Sequence, residues 1–291
     1  MFADVLPLLR CLKCGSELTL DQVREHGASE EVINGTVSCG RGHTTLVEDG
    51  VLAFSTEDAP SDPWSRSYKD WEVYLNANRS WISGREVEVG PILDCIPTPT
   101  TSPMLDICTG QGGLLFNLLK RGITASVMVS LDMSLHVQRY NRRYMNEFIG
   151  LRPVTYIACD AATLPFKDST VGCVTSFGIG NMLNKMPAGL SEAARVLRRG
   201  GLMAFSYSYV DEDSKGWRTL KRVLEEMGGS DVGYMGLERE FVALMDRSGF
   251  QEYAISTVRE VIGHPDSDPE AGPILPYPNE KLTELLVRAW K

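Results

Sequence analysis

No run of apolar residues in this 291-residue chain approaches the roughly 18–20 that a membrane-spanning helix needs. Its opening stretch, MFADVLPLLRCLK, has no basic start and too short an apolar segment for a signal peptide. A cytoplasmic setting with no membrane partner is therefore expected. Positive charge is also in short supply. The 29 Lys and Arg face 38 Asp and Glu, for a net charge of -9. Such a balance argues against broad, self-sufficient binding to nucleic acid, although it leaves room for a local basic patch. Internal repeats and low-complexity segments are lacking too.

What remains is globular in character. Hydrophobic residues make up 43% and charged residues 23%, an ordinary balance with material for a full core. The length suits one large domain, or a large one with a small one. Three of the seven cysteines (Cys11, Cys14, Cys39) lie in the first forty residues, and the others (Cys95, Cys108, Cys159, Cys173) are scattered. Clustered thiols in a cytosolic chain suggest a metal, and scattered ones suggest packing. Three regions follow: a Cys- and Gly-rich module at 1–55, a linker and helical lid at 56–100, and a larger domain at 101–291. The lid carries Trp64, Tyr68, Trp71, Tyr74 and Trp81 at helical intervals.

From residue 104 onward, strand and helix signals alternate. The runs at 104–108, 126–132, 154–160, 171–178 and 201–210 read as strands, and those at 253–262 and 281–291 read as two last ones. Between them, 112–122, 134–148, 190–200 and 238–250 have helical spacing, with Ser134 as an N-cap. Alternation of this kind implies a mostly parallel, doubly wound α/β sheet with helices on both faces.

Polar signals gather at four strand ends. Asp106-Ile-Cys-Thr-Gly110-Gln-Gly112-Gly113 stands at a strand-to-helix junction, where glycines admit a ligand close to the backbone and helix amides point toward it. Asp132 ends the next strand about 20 residues on, where doubly wound folds place a carboxylate for ribose hydroxyls. An acid, Asp160, follows the third strand within CDAATLPF, and ARVLRRGGLMAFS closes a helix through a Gly-Gly turn into a strand. In this order and spacing, residues 100–291 resemble class I S-adenosylmethionine (SAM)-dependent methyltransferases of the type that includes the quinone-biosynthesis C-methyltransferases. The resemblance implies a seven-stranded sheet whose last strand is antiparallel. It also implies a SAM pocket shaped by Asp106, Cys108, Gly110 and Gly112, with Asp132 and Met133 at the ribose. Asp160 and Ala161 would face the adenine, and Ser176 and Phe177 would lie near the methionine part. The family usually has glycine where this chain has Cys108. A nicotinamide dehydrogenase is disfavoured, because the dinucleotide fingerprint needs a third glycine where Leu115 stands.

The second constellation is Cys11-Leu-Lys-Cys14 with Cys39-Gly-Arg-Gly-His43. Two close pairs separated by a longer loop allow a closed, structural Cys₃His zinc site. The module resembles the small zinc-ribbon subunits that activate certain tRNA and release-factor methyltransferases, and the N-terminal ribbon of rRNA guanine methyltransferases. It is also the most acidic part of the chain. Residues 1–60 hold four Lys and Arg against ten Asp and Glu.

The remaining candidates are weaker. Tyr207 and Tyr209 share one side of the fifth strand and could line an acceptor pocket, and His264 could serve as a base. Arg139, Arg142 and Arg143, like Arg195, Arg198 and Arg199, read as solvated helix faces. Methyl transfer from a sulfonium is an in-line displacement that needs positioning more than a catalytic dyad. The leading expectation is thus a SAM-dependent methyltransferase acting on a small-molecule acceptor. The alternatives are an rRNA or tRNA methyltransferase that recognises its target through the ribbon, and a non-catalytic SAM-binding scaffold.

Overall fold

A computed structural model describes residues 1–55, 73, 76, 82–98, 100–150, 153–180, 185–226, 237–265 and 276–291. The aromatic lid residues Trp64, Tyr68, Trp71, Tyr74 and Trp81 lie outside this set. The strands are β1 (Leu18–His26), β2 (Val32–Cys39), β3 (Thr44–Glu48), β4 (Val51–Ala53), β5 (Met104–Ile107), β6 (Met128–Asp132), β7 (Val154–Ala158), β8 (Val171–Ser176), β9 (Leu197–Val210), β10 (Glu252–Ile262) and β11 (Lys281–Trp290). The helices are α1 (Glu86–Leu93), α2 (Gly113–Lys120), α3 (Leu135–Phe148), α4 (Met186–Val196), α5 (Lys215–Glu226) and α6 (Glu238–Arg247).

Among the described residues, eleven strands form one sheet, in the order β1-β2-β3-β4-β7-β6-β5-β8-β9-β11-β10. Strands β7, β6, β5, β8 and β9 are parallel, and β11 runs antiparallel to both β9 and β10. These seven match the expected core, including its antiparallel last strand. The expectation of a seven-stranded sheet is nevertheless corrected, because the N-terminal module adds four more. Its strands pair antiparallel among themselves, and β4 then joins β7 in parallel, Val51 opposite Tyr156 and Ala53 opposite Ala158. A strand left at the edge presents unpaired backbone groups, and β4 satisfies those of β7.

Side chains alternate across the central strands and feed two cores. Met104, Met128, Val154 and Tyr156 face α1, α2 and α3. Leu105, Val129, Leu131 and Ile157 face the other way, toward Met186 and Leu190 of α4 and Phe241 of α6. Val5, Leu9, Val37 and Leu52 of the N-terminal module belong to this second core. The module therefore shares its interior with the larger domain.

Of the six arginines read as solvated helix faces, Arg139, Arg142 and Arg195 are tied to partners, whereas Arg143, Arg198 and Arg199 are exposed, the last two on β9 rather than on a helix. On α3, Arg142 donates through Nε and a terminal nitrogen to the two carboxylate oxygens of Glu31, at 2.8 and 2.7 Å. Arg139 pairs with Glu48 and Asp49 at 3.2 and 3.0 Å. Arg195 donates to Glu192, Asp168 and the carbonyls of Leu164 and Phe166. Sequence spacing shows only one helix at a time, whereas these partners, apart from Glu192 on the same helix as Arg195, lie on segments brought in by the fold. Burial alone would raise the Glu31 pKa, but the Arg142 hydrogen bonds and the neighbouring positive charges hold it below its ordinary value.

The Glu31 side chain is 4% exposed and that of Arg142 15%, so losing either partner leaves the other charge buried. Arg142→Ala should reduce unfolding free energy by about 3–5 kcal/mol, measured by urea titration. Because the Glu31 pKa is depressed, the stabilisation is present above its unfolded value of about 4.3. The difference between wild type and Arg142→Ala should therefore shrink as pH falls through that range.

Candidate cofactor site

Four neighbouring strand ends build the site. The chain leaves β5 at Ile107 and must reverse within a few residues to begin α2. It does so through three residues with positive φ: Cys108 at 53°, Gly110 at 51° and Gly112 at 81°. The two glycines adopt this region freely, but Cys108 holds it against a β-carbon, which disfavours it by about 1–2 kcal/mol. Gly112 is confined in space as well. A β-carbon there would come within 2.8 Å of both Asn141 Oδ1 and Met145 Cε. No side chain caps the start of α2, so its first amides face outward as donors.

Asp132 ties this turn to the next strand. Its carboxylate accepts from the Gly110 amide at 2.9 Å and from the Ser134 amide at 3.1 Å. Asn141 of α3 donates to the Gly110 carbonyl at 2.8 Å, so the loop is held from both sides. The Ser55 hydroxyl donates to the Met133 carbonyl at 2.7 Å, and the Phe54 and Ser55 amides reach the Ala158 carbonyl. The last residues of the N-terminal module thus border this edge.

At the end of β7, Asp160 Oδ1 accepts from the Ala162 amide at 2.9 Å, and Oδ2 pairs with Lys185 at 2.7 Å. Ala161 beside it is buried. At the end of β8, the Ser176 hydroxyl donates to the Ile107 carbonyl at 2.8 Å and accepts from the Gly178 amide at 3.3 Å. Phe177 lies beneath the Arg85 guanidinium, 5.5 Å from ring centroid to Cζ.

Asp106 is the deepest charge-bearing group of the set, 2% exposed. One carboxylate oxygen accepts from the Thr175 hydroxyl at 3.0 Å, and the other, Oδ2, has no hydrogen-bond partner. Burial pushes its pKa up to about 7; Thr109 and Thr175 counter this in part, and the charge of Asp132 adds to it. Burial also drives the Cys108 thiol well above its ordinary value, helped by the charges of Asp132, Asp106 and Asp160. Three acids from three strands therefore act on one point.

The weaker candidates do not join them. Tyr207 is 5% exposed and stacks on Phe241, with centroids 4.1 Å apart. Tyr209 packs edge-on against both rings at 6.0 Å. They share a side of β9, as the spacing predicts, but that side is covered by α6. This corrects the reading of Tyr207 as a pocket wall. His264 is exposed just beyond β10. Conversely, Arg85, Asn141, Lys185 and Ser55 reach the site without any sequence signal, because each comes from a segment distant in the chain.

The Cys–His constellation does assemble. The ligand atoms of Cys11, Cys14, Cys39 and His43 all lie within 4.8 Å of one another. His43 Nδ1 is 3.6 Å from Cys11 Sγ and 3.5 Å from Cys39 Sγ, and the sulfurs of Cys14 and Cys39 are 3.7 Å apart. A tetrahedron with metal–sulfur bonds of about 2.3 Å and metal–nitrogen bonds of about 2.0–2.1 Å has edges of nearly these lengths. The group can hold a metal ion.

Known proteins resemble the chain over this region. The model of the ubiE/COQ5 methyltransferase family matches residues 89–210. The ubiquinone/menaquinone biosynthesis C-methyltransferase of Dinoroseobacter shibae is 30% identical over 58% of this chain. The chain spans 63% of that protein's length, less than two thirds. The corresponding Escherichia fergusonii protein is 26% identical over 52% of this chain and 76% of its own. Among solved structures, a geranyl diphosphate methyltransferase in complex with SAM superposes with a TM-score of 0.53 at 18% identity, covering 80% of this chain and 93% of its own. The fold is that of class I methyltransferases.

The raised Asp106 pKa has a consequence for stability. The folded state holds this proton up to about pH 7, whereas the unfolded chain releases it near 3.9. The contribution of Asp106 to stability is therefore present at low pH and is lost as pH rises between those values. Relative to wild type, Asp106→Asn should remove a downward slope approaching about 1.4 kcal/mol per pH unit, read from urea unfolding between pH 4 and 8.

Proposed function

We propose that the protein is a SAM-dependent methyltransferase whose acceptor is a small molecule of the quinone type. The carrying observation is the convergence of Asp106, Asp132 and Asp160 on the reversed Gly110–Gly112 turn. SAM supplies an electrophilic methyl group on a sulfonium, open to in-line displacement. The chain's own residues position and desolvate it. Asp132 takes ribose hydroxyls, as the acid ending the second strand of such folds does, with Met133 beside it. Asp160 and the Ala161 backbone face the adenine, while Cys108, Gly110 and Gly112 shape the floor and Ser176 and Phe177 flank the methionine part. Asp106, with a buried unpartnered oxygen, suits a cationic group, which would draw its pKa back down. Among the described residues no nucleophile–base pair stands in the site, in keeping with a reaction that runs on positioning.

A small acceptor is favoured over RNA by charge. Three acids on one point, in a chain of net charge -9, repel a phosphate backbone rather than neutralise it. Titration calorimetry should show SAM binding that Asp132→Ala weakens at least tenfold, with the fold intact by circular dichroism. Label from methyl-labelled SAM should pass into a demethylated quinone precursor and not into total RNA. Salt-sensitive labelling of RNA instead would reverse the assignment of acceptor.

The division at 1–55, 56–100 and 101–291 belongs to the same proposal, with the first segment a zinc ribbon. Cys11, Cys14, Cys39 and His43 would hold a structural Zn²⁺, for which three thiolates and an imidazole form a familiar donor set. Thiolates kept reduced imply a cytoplasmic setting. Elemental analysis should return one zinc per chain, lost in the Cys11→Ser/Cys39→Ser double variant. Because Val5, Leu9, Val37 and Leu52 share the core of the larger domain, metal removal should lower one common melting transition. Two separate transitions, with the upper one unchanged, would show the ribbon to be independent.

A further inference from the structure

The N-terminal module touches the cofactor edge at two places. The first is Ser55, just beyond β4. Its amide donates to the Ala158 carbonyl at 3.1 Å, beside the Phe54 amide at 2.9 Å, and its hydroxyl donates to the Met133 carbonyl at 2.7 Å. Ala158 ends β7 shortly before Asp160, and Met133 follows Asp132 at the end of β6. One half-buried serine therefore clips together the ends of the two strands whose acids the cofactor reading assigns to ribose and adenine. The second contact holds the far end of the Asp160 loop. The Arg10 amide donates to the Pro165 carbonyl at 2.8 Å, and the Lys167 amide donates to the Leu8 carbonyl at 2.8 Å. Between these bonds, the buried Leu9 and Phe166 form a bridge. Asp160 and Ala161 lie on the stretch between the two attachments.

A loop pinned at both ends has few ways to move, so its acid keeps its spacing from Asp132 before a ligand arrives. Preorganisation of this kind raises affinity, because less ordering is left to do at binding. We propose that Ser55 is a positioning residue for the adenosine half of SAM. Its hydroxyl sets the Met133 carbonyl beside Asp132, its amide sets the end of β7, and Leu8–Arg10 hold the other end of the Asp160 loop. This rests on the cofactor reading above. It adds to that reading a residue outside 89–210, the stretch that the family model matches, and it gives the N-terminal module a task in cofactor binding. The two bonds of Ser55 are separable by substitution. Alanine keeps the amide that serves Ala158 and loses the hydroxyl that serves Met133, whereas threonine keeps both.

5′-Methylthioadenosine, which keeps adenine and ribose but lacks the amino-acid end, separates this role from others. Affinities for SAM and for 5′-methylthioadenosine would be measured by calorimetry on the full-length wild type, Ser55→Ala and Ser55→Thr, with urea unfolding of each protein alongside. In Ser55→Ala both affinities should fall by about fivefold, the scale of one hydrogen bond, so that their ratio stays as in wild type. Ser55→Thr should hold both within twofold of wild type. If Ser55→Ala does not fold, Ser55→Thr is compared with Ser55→Val, which has nearly the same shape without the hydroxyl. A purely structural bond would shift the urea midpoint and leave both affinities of the folded protein where they were, and that result would overturn the inference. So would a loss confined to SAM, a valine variant that binds as tightly as the threonine one, or a wild type that binds SAM but not 5′-methylthioadenosine; each would leave the cofactor reading in place. A wild type that binds neither ligand would overturn the cofactor reading and this inference with it.

Discussion

The reversal between β5 and α2 is the constraint around which the rest of the site is arranged. A parallel strand delivers its last residues to one edge of the sheet, and the next helix must run back over the face. Here the turn passes through Cys108, Gly110 and Gly112, all at positive φ, and leaves helix amides directed at the same edge as the strand ends. Neighbouring groups lock it. Asp132 holds the Gly110 amide, and Asn141 holds its carbonyl. Gly178 lies so near the Cys108 carbonyl that a β-carbon there would be 2.6 Å from the oxygen. Cys108 keeps a conformation that glycine would adopt without strain, which shows how far its surroundings determine it.

Electrostatics follow from that geometry. Bringing the ends of β5, β6 and β7 together also brings together Asp106, Asp132 and Asp160, and the resulting field is felt at Cys108. The protein tempers it with backbone amides at Asp132, with Lys185 at Asp160 and with protonation at Asp106. Such a site favours ligands that carry positive charge and offer hydroxyl donors. Its cationic groups, Arg85 and Lys185, stand at either end of the row of strand ends.

The N-terminal module is joined to this arrangement by backbone pairing rather than by side-chain contact alone. β4 extends the sheet beyond β7, and its continuation through Phe54 and Ser55 reaches Ala158 and Met133 beside the cofactor edge. The Glu31–Arg142 pair fastens the module to α3, the helix that also carries Asn141. A metal at the Cys–His cluster would therefore stabilise a segment continuous with the site.

Much of this was legible in the chain. Alternating strand and helix periods, glycines after β5, acids after β6 and β7, and two close Cys/His pairs are local patterns, and local sterics and hydrogen bonding dictate what they form. The seven central strands, the Ser134 cap and the four metal-ligand candidates follow from such patterns. Tertiary structure alone decided where the pieces meet. The pairing of β4 with β7 joins residues about a hundred positions apart, and three residues of backbone carry no mark of their partner. Arg142 read as solvated because its carboxylate comes from another segment, and Arg195 because Asp168 and the Leu164 and Phe166 carbonyls do. Tyr207 kept its side of the strand but lost its access, since nothing in its own spacing records that α6 packs over it. Arg85 was silent for the same reason: only the folded chain brings the Phe177 ring to its guanidinium.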